Sequence, residues 1–146
     1  MFGKYEHKLD DKNRLVVPAK ILQELGSSFY VTIGLDKNLV LRSNEEFQKL
    51  TAKLQEGNYL SKENRAMSRY IFANTECLTP DKLGRVVISK HLLQKVAIEK
   101  EVVFVGNNLT CDIFAKDQYY KDEAELDHGD NVDELARKLL EQGVAL

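Results

Sequence analysis

Tryptophan is missing from this 146-residue chain, and cysteine, proline and methionine each occur only twice. Two isolated thiols, Cys77 and Cys111, cannot frame a disulfide-stapled fold, so both are expected to stay reduced. With two prolines and eight glycines, collagen-like and low-complexity material is excluded. No apolar run nears the ~18 residues that span a bilayer, and MFGKYEHKLDD lacks the apolar stretch of a secretory signal. A cytoplasmic protein with no membrane partner is expected.

Catalytic groupings are missing too. His7, His91 and His128 form no H-x-x-E-H, H-E-x-x-H or C-x-x-C set, which leaves metal chemistry without ligands. Cys77 has no evident base partner and reads as a buried structural thiol. No G-x-S-x-G, P-loop or dinucleotide fingerprint occurs. The expectation is no enzyme, no cofactor, no metal and no small-molecule substrate.

What is present is a globular balance, 43% hydrophobic and 30% charged. A net charge of −2 argues against a generic polyanion binder, but its distribution is uneven. Residues 1–20 hold five Lys and Arg against three acids, whereas residues 117–146 hold nine acids against Lys121, Arg137 and Lys138. The acidic end reads first as a solvated tail helix.

The chain also repeats itself. DKNRLVVPAKILQEL from Asp11 aligns with DKLGRVVISKHLLQKV from Asp81. Superposing the arginines puts Asp10 over Asp81, Arg14 over Arg85, Val16 over Val87, Ile21 over Leu92 and Val31 over Val102. One inserted residue later, Gly34 falls over Gly106, Leu41 over Ile113 and Phe47 over Tyr119. Each copy predicts the same elements. A turn leads into a β-branched run, Leu15–Val17 or Val86–Ile88. Pro18 or Ser89 then opens a short helix with Ile21, Leu22 and Leu25 on its apolar face, and Gly26 stops it. A hairpin follows, Phe29–Ile33 with Leu39–Leu41, or Val102–Val105 with Leu109–Phe114. Ser43-x-x-Glu46 signals a further helix. Apolar spacing predicts two more, over Ser61–Asn74 (Ala66, Met67, Tyr70, Ile71) and over Val132–Gln142. One unit this small cannot bury its own sheet, so the copies must pack or interleave about a pseudo-twofold axis.

Chemistry concentrates in Asp-x-x-x-Arg, present as Asp10–Arg14 and Asp81–Arg85. Asn13 and Gly84 hold equivalent positions and tolerate a left-handed backbone, so each segment is a tight turn rather than helix. Asp can accept backbone N–H bonds there, and Arg emerges just past the tip beside Lys12 or Lys82. Bracing of the turn and display of the arginine to a ligand weigh equally.

The stretches FGKYEHKLDDKNRLVVPAKI and ECLTPDKLGRVVISKHL, with two Asp-x-x-x-Arg turns about seventy residues apart, closely resemble the MraZ family. These are two-copy relatives of the AbrB swapped-hairpin transcription factors. The resemblance implies an α+β fold with a mainly β core, a double-split β-barrel built from two tandem AbrB-like repeats with flanking helices. The self-alignment puts the repeats at 5–47 and 76–119, with a helical connector at 48–75 and an acidic C-terminal helix at 120–146. The resemblance is to a family of such tandem repeats. It further implies a homo-oligomeric ring, nucleoid association, and double-stranded DNA as partner, through short G-rich direct repeats ahead of the division and cell-wall gene cluster. Arg14 and Arg85 match the motif arginines, with Lys12, Lys82, Lys4 and Lys8 as accessory DNA-binding residues. Asp10, Asp81, Asn13 and Gly84 shape the turns. Two departures from the family pattern stand out, Asn13 in place of glycine and a Leu78-Thr79-Pro80 approach one residue longer. The sequence ranks Arg14 first, because Lys4, Lys8 and Lys12 lie on its side. The opposing expectation is an antitoxin-type swapped-hairpin protein that holds DNA and a toxin.

Overall fold

A computed structural model describes residues 1–146. It separates into two units, Met1–Ala115 and Lys116–Leu146. The first contains β1 (Lys4–Lys8), β2 (Arg14–Val16), α1 (Ala19–Leu25), β3 (Phe29–Ile33), β4 (Leu39–Ser43), α2 (Asn44–Glu56) and α3 (Lys62–Ala73). It continues with β5 (Thr75–Leu78), β6 (Arg85–Val87), α4 (Lys90–Lys95), β7 (Glu101–Asn107) and β8 (Thr110–Ala115). The second unit is α5 (Lys116–Asp127) and α6 (Asn131–Glu141). Two strands, a helix, two strands and two helices therefore occur twice in the same order, which is the duplication seen in the sequence.

The copies interleave. One mixed α/β core carries a six-stranded sheet in the order β1-β7-β8-β4-β3-β5, antiparallel at every pair. Each hairpin stays with its own copy, but the first strands are exchanged. Strand β1 pairs with β7 of the second copy (Tyr5 opposite Phe104), and β5 pairs with β3 of the first (Tyr30 opposite Cys77). Strands β4 and β8 join the halves at the centre, with Leu41 opposite Cys111. The two shortest strands, β2 and β6, form a separate two-stranded ribbon. Because β1 and β5 end the sheet on opposite sides, the ladders do not run as one closed barrel.

Burial explains the exchange. Leu15, Leu25, Phe29, Val31, Leu39 and Leu41 from the first copy share one core with Val86, Leu92, Val96, Val102, Phe104 and Ile113 from the second. Neither set is large enough alone to shield a sheet face from water. On the opposite face Tyr30 stacks on Phe47 of α2, ring centroids 3.9 Å apart.

Local signals held with differences of detail. Pro18 stands at the N-cap of α1 rather than inside it, and Gly26 ends the helix at φ 88° with its N–H bonded to the Leu22 carbonyl. Ser89 stands at the N-cap of α4 without a side-chain cap, because its hydroxyl instead shares a hydrogen bond with His91 Nδ1. Ser43 caps α2 through the Glu46 N–H, but the Glu46 carboxylate turns to Lys49 and leaves the box half made. In α3 only Ile71 is buried, while Met67 and Tyr70 stay 44% and 45% exposed. The acidic end is two helices, not one. Gly129 at φ 53° sits between α5 and α6, where a single helix could not continue at ordinary cost.

Candidate nucleic-acid interface

Both Asp-x-x-x-Arg segments fold into one turn design. Asp10 Oδ1 accepts the backbone N–H of Lys12 at 2.9 Å and of Arg14 at 2.8 Å, and Oδ2 accepts Arg14 Nε at 2.6 Å. Asp81 does the same with Leu83 at 3.0 Å, Arg85 at 2.9 Å and Arg85 Nε at 2.7 Å. Backbone bonds close the loop alike, Asp10 N–H to Arg14 O and Asp81 N–H to Arg85 O, both at 2.9 Å. Asn13 at φ 58° and Gly84 at φ 77° take the left-handed position that the reversal demands. A Cβ on Gly84 would also press to 3.3 Å from Leu22 Cδ2, which gives glycine a second reason at that site. Strand β5 ends three residues before Asp81 where β1 ends two before Asp10, and the second turn nevertheless keeps the same bonds. Nothing in the turn geometry ranks Arg14 above Arg85.

Brace and display are therefore one device. The carboxylate engages only Nε of each arginine, which leaves the two Nη groups as a donor fork whose direction is already fixed. The Arg14 N–H chiefly holds the Asp10 carboxyl below its usual 3.8, aided by the Arg14 side chain and the Lys12 N–H. Asp81 is lowered in the same way, chiefly by the Arg85 N–H. A depressed folded value contributes stability above the unfolded value and loses it as pH falls through the folded one. Both braces should therefore persist at pH 3.8 and release only in stronger acid. Side-chain carboxyl NMR titration checks this, and a midpoint at or above 3.8 for either aspartate would contradict it.

The ribbon sets what surrounds the arginines. Arg14 pairs with Val87, Leu15 with Val86 and Val16 with Arg85. Alternation along the strands sends Leu15 and Val86 into the core and leaves Arg14, Val16, Arg85 and Val87 on the outer face. The two arginines are diagonal neighbours, with Cα atoms ~7–8 Å apart by ordinary sheet geometry. Both line one open depression of about 280 Å³, together with Cys77, Thr79, Asp81 and Val87.

The lysines are arranged less evenly. Lys12 takes the tip position that Leu83 holds in the second turn, and Lys82 takes the position of Asp11, so they are not repeat equivalents. Both are exposed. Lys8 ends β1 two residues before Asp10, while Lys4 begins the strand, roughly 13 Å of rise away. The structure does not bring Lys4 to the ribbon. It adds Val16, Val87 and the exposed turn residue Leu83, none of which the sequence reading singled out, because strands of three residues are too short for alternation to declare an outer face.

Cys77 corrects its sequence reading, since it is exposed on the edge strand beside the arginines rather than buried. Cys111 is the buried thiol, and burial pushes its pKa up to about 12. Strands β3 and β4 separate β5 from β8, so a bond between the two sulfurs has no geometry. Treating the folded protein with iodoacetamide at pH 8 should alkylate Cys77 and spare Cys111 until unfolding. Mass spectrometry of the digest checks it, and equal labelling of both would contradict the burial assignment.

Elsewhere no group of three or more His, Cys, Asp or Glu side chains could hold a metal ion. No helix is long and apolar enough to cross a membrane.

Fold and site together define a class, duplicated proteins whose exchanged strands hold a two-stranded ribbon with a pair of braced arginines on its outer face. Within that class the chain belongs to the MraZ protein family, described as antitoxin-like, which matches it twice, over residues 1–70 and 71–142. It is 42% identical over 146 residues to a protein of Mycoplasma mobile named transcriptional regulator MraZ, covering 100% of both chains. It is 38% identical to a protein of that name from Mycoplasmopsis pulmonis, over 99% of this chain and 97% of the relative. Another so named, from Caldanaerobacter subterraneus, is 37% identical over 80% of this chain and 82% of its own.

Proposed function

We propose that this protein regulates transcription by binding double-stranded DNA through the β2–β6 ribbon. Its target is a set of short G-rich direct repeats upstream of its own gene, ahead of the division and cell-wall gene cluster. The observation that carries the reading is the outward pair Arg14 and Arg85, each tied by Nε to a turn aspartate and left with a free-ended fork. Such a fork donates two hydrogen bonds to guanine O6 and N7, and the major groove admits a two-stranded ribbon. The exposed Lys12 and Lys82 of the turns, and Lys8 at the end of β1, would hold flanking phosphates without reading sequence. The exchanged first strands and the separate ribbon support an AbrB-like swapped-hairpin architecture. Footprinting of the upstream region tests the reading. Protection of guanines in the repeats is expected, and protection no different from scrambled DNA would defeat it.

One subunit with a weakly acidic balance is a poor DNA binder, whereas an array of ribbons on tandem repeats gains effective concentration. We assign that array to a homo-oligomer, a ring, acting at the nucleoid. Its support is apolar surface left exposed to water. Tyr59, Leu60, Met67, Tyr70 and Phe72 are exposed around α3, and Val132, Leu135 and Leu140 along α6. Light scattering at micromolar concentration should give a mass well above a dimer, and the 16.7 kDa of a monomer would refute it. The antitoxin-type alternative relies on a disordered tail to hold a toxin, whereas the acidic end here is folded as α5 and α6.

A further inference from the structure

Guanine recognition by arginine leaves half of the ribbon's outer face unexplained. Val16 and Val87 are 39% and 57% exposed, two β-branched apolar side chains set between two arginines on a surface open to water. Strand propensity does not account for them, since threonine has the same branched shape and suits a wet strand position as well. The duplication adds a second observation. On the outer face both copies carry the same residues, Arg14 with Arg85 and Val16 with Val87. On the core face they have diverged, Leu15 against Val86 and Val17 against Ile88. A core position asks only for apolar volume and tolerates such exchanges. The arginines are held by their turn aspartates, but the two valines are also identical although the chain leaves both of them exposed.

We propose that Val16 and Val87 are specificity-determining residues that read thymine, each laying its γ-methyl groups on the C5-methyl of a thymine beside the guanine held by its arginine neighbour. The inference rests on the DNA-binding reading given above and adds a second base to it. Register supplies the geometry, because Val87 stands directly across from Arg14, and Val16 across from Arg85. Side chains in such pairs have Cβ atoms ~4.5–5.5 Å apart, against a rise of ~3.4 Å per base pair. On this reading that offset, a little over one base-pair step, sets the valine opposite an arginine over the base pair next to the one its fork holds. Among the groups on the major-groove edge only the thymine methyl is apolar, and an apolar side chain recognises it by excluding water. Both diagonals of the ribbon offer this arginine–valine couple. One subunit therefore favours guanine with an adjacent thymine over guanine flanked by cytosine.

The test compares two versions of one fragment, the protein's own upstream DNA amplified with thymidine or with deoxyuridine, which removes every C5-methyl and keeps all pairing. Gel-shift titration is run with the wild-type chain and with the double variant Val16→Ala, Val87→Ala, and circular dichroism confirms folding. Wild type should bind the uracil fragment about fourfold more weakly for each methyl lost at an engaged ribbon. The double variant should bind both fragments alike. The pair Val16→Thr, Val87→Thr keeps one γ-methyl at each site and should restore part of the discrimination. Should the alanine variant not fold, the wild-type and threonine arms still decide. Equal binding of the two fragments by wild type overturns the proposal, as does discrimination that survives in the folded alanine variant. The DNA-binding reading fails by a different result, a thymidine fragment bound no better than scrambled duplex.

Discussion

Arg14→Ala is expected to bring operator binding close to complete loss, and Arg85→Ala to do the same to a similar degree. On the proposed reading each substitution would remove a bidentate guanine contact worth ~1–3 kcal/mol per engaged subunit. Where several subunits engage tandem repeats together, that loss multiplies, so a modest defect per ribbon becomes a large one for the assembly. Equality of the two variants follows from geometry, because the Nε bonds to Asp10 and Asp81 are 2.6 and 2.7 Å and the backbone closures match. Lys12→Ala should behave differently. It should weaken repeat and scrambled DNA alike and lower the salt dependence by about one unit of slope. The measurement is a gel-shift titration on both DNAs at two salt concentrations, with circular dichroism as a check on folding. A folded Arg14→Ala protein that bound its repeats as tightly as wild type would reduce that arginine to a brace.

Cutting the chain between α3 and β5 should have the other large effect. Residues 1–74 and 75–146 expressed apart should not give folded monomers, because each half holds a first strand whose partner is in the other. Strand β1 finds its ladder on β7, β5 finds its ladder on β3, and the ribbon needs both β2 and β6. Alone, a half exposes Leu41 or Ile113 at an unpaired central strand together with half of the common core. Mixing the halves should restore native circular dichroism at equimolar ratio. Size-exclusion chromatography with light scattering checks both statements, and a folded monomer of either half would contradict the exchange of strands.

The periodic features of the fold were legible in the sequence. Two copies, the order of elements within them, Gly26 as a helix stop and Ser43 as a cap are set by bonds among near neighbours, which residue type alone biases strongly. The turns were legible for the same reason. Asp followed four residues later by Arg, with Asn13 or Gly84 at the left-handed position, specifies its own hydrogen bonds. Acid at the C-terminal end was equally plain, but its division into α5 and α6 at Gly129 was missed, since one glycine is a weak break within a polar pattern.

Tertiary structure alone decided which copy each first strand serves. The same alternation in β1 would satisfy either hairpin, and only the shared core of Phe29, Val31, Val102 and Phe104 makes the crossed pairing the one that buries both sheet halves. It also decided which thiol is hidden. Cys77 and Cys111 both lie in strands, yet one strand is an edge and the other is central, a distinction that depends on the whole sheet order. The outer face of the ribbon belongs with these. Three residues are too few for a period to declare which side faces water. Pairing of β2 with β6 over the core fixed Leu15 and Val86 inward, and with them set Arg14, Val16, Arg85 and Val87 outward on one surface.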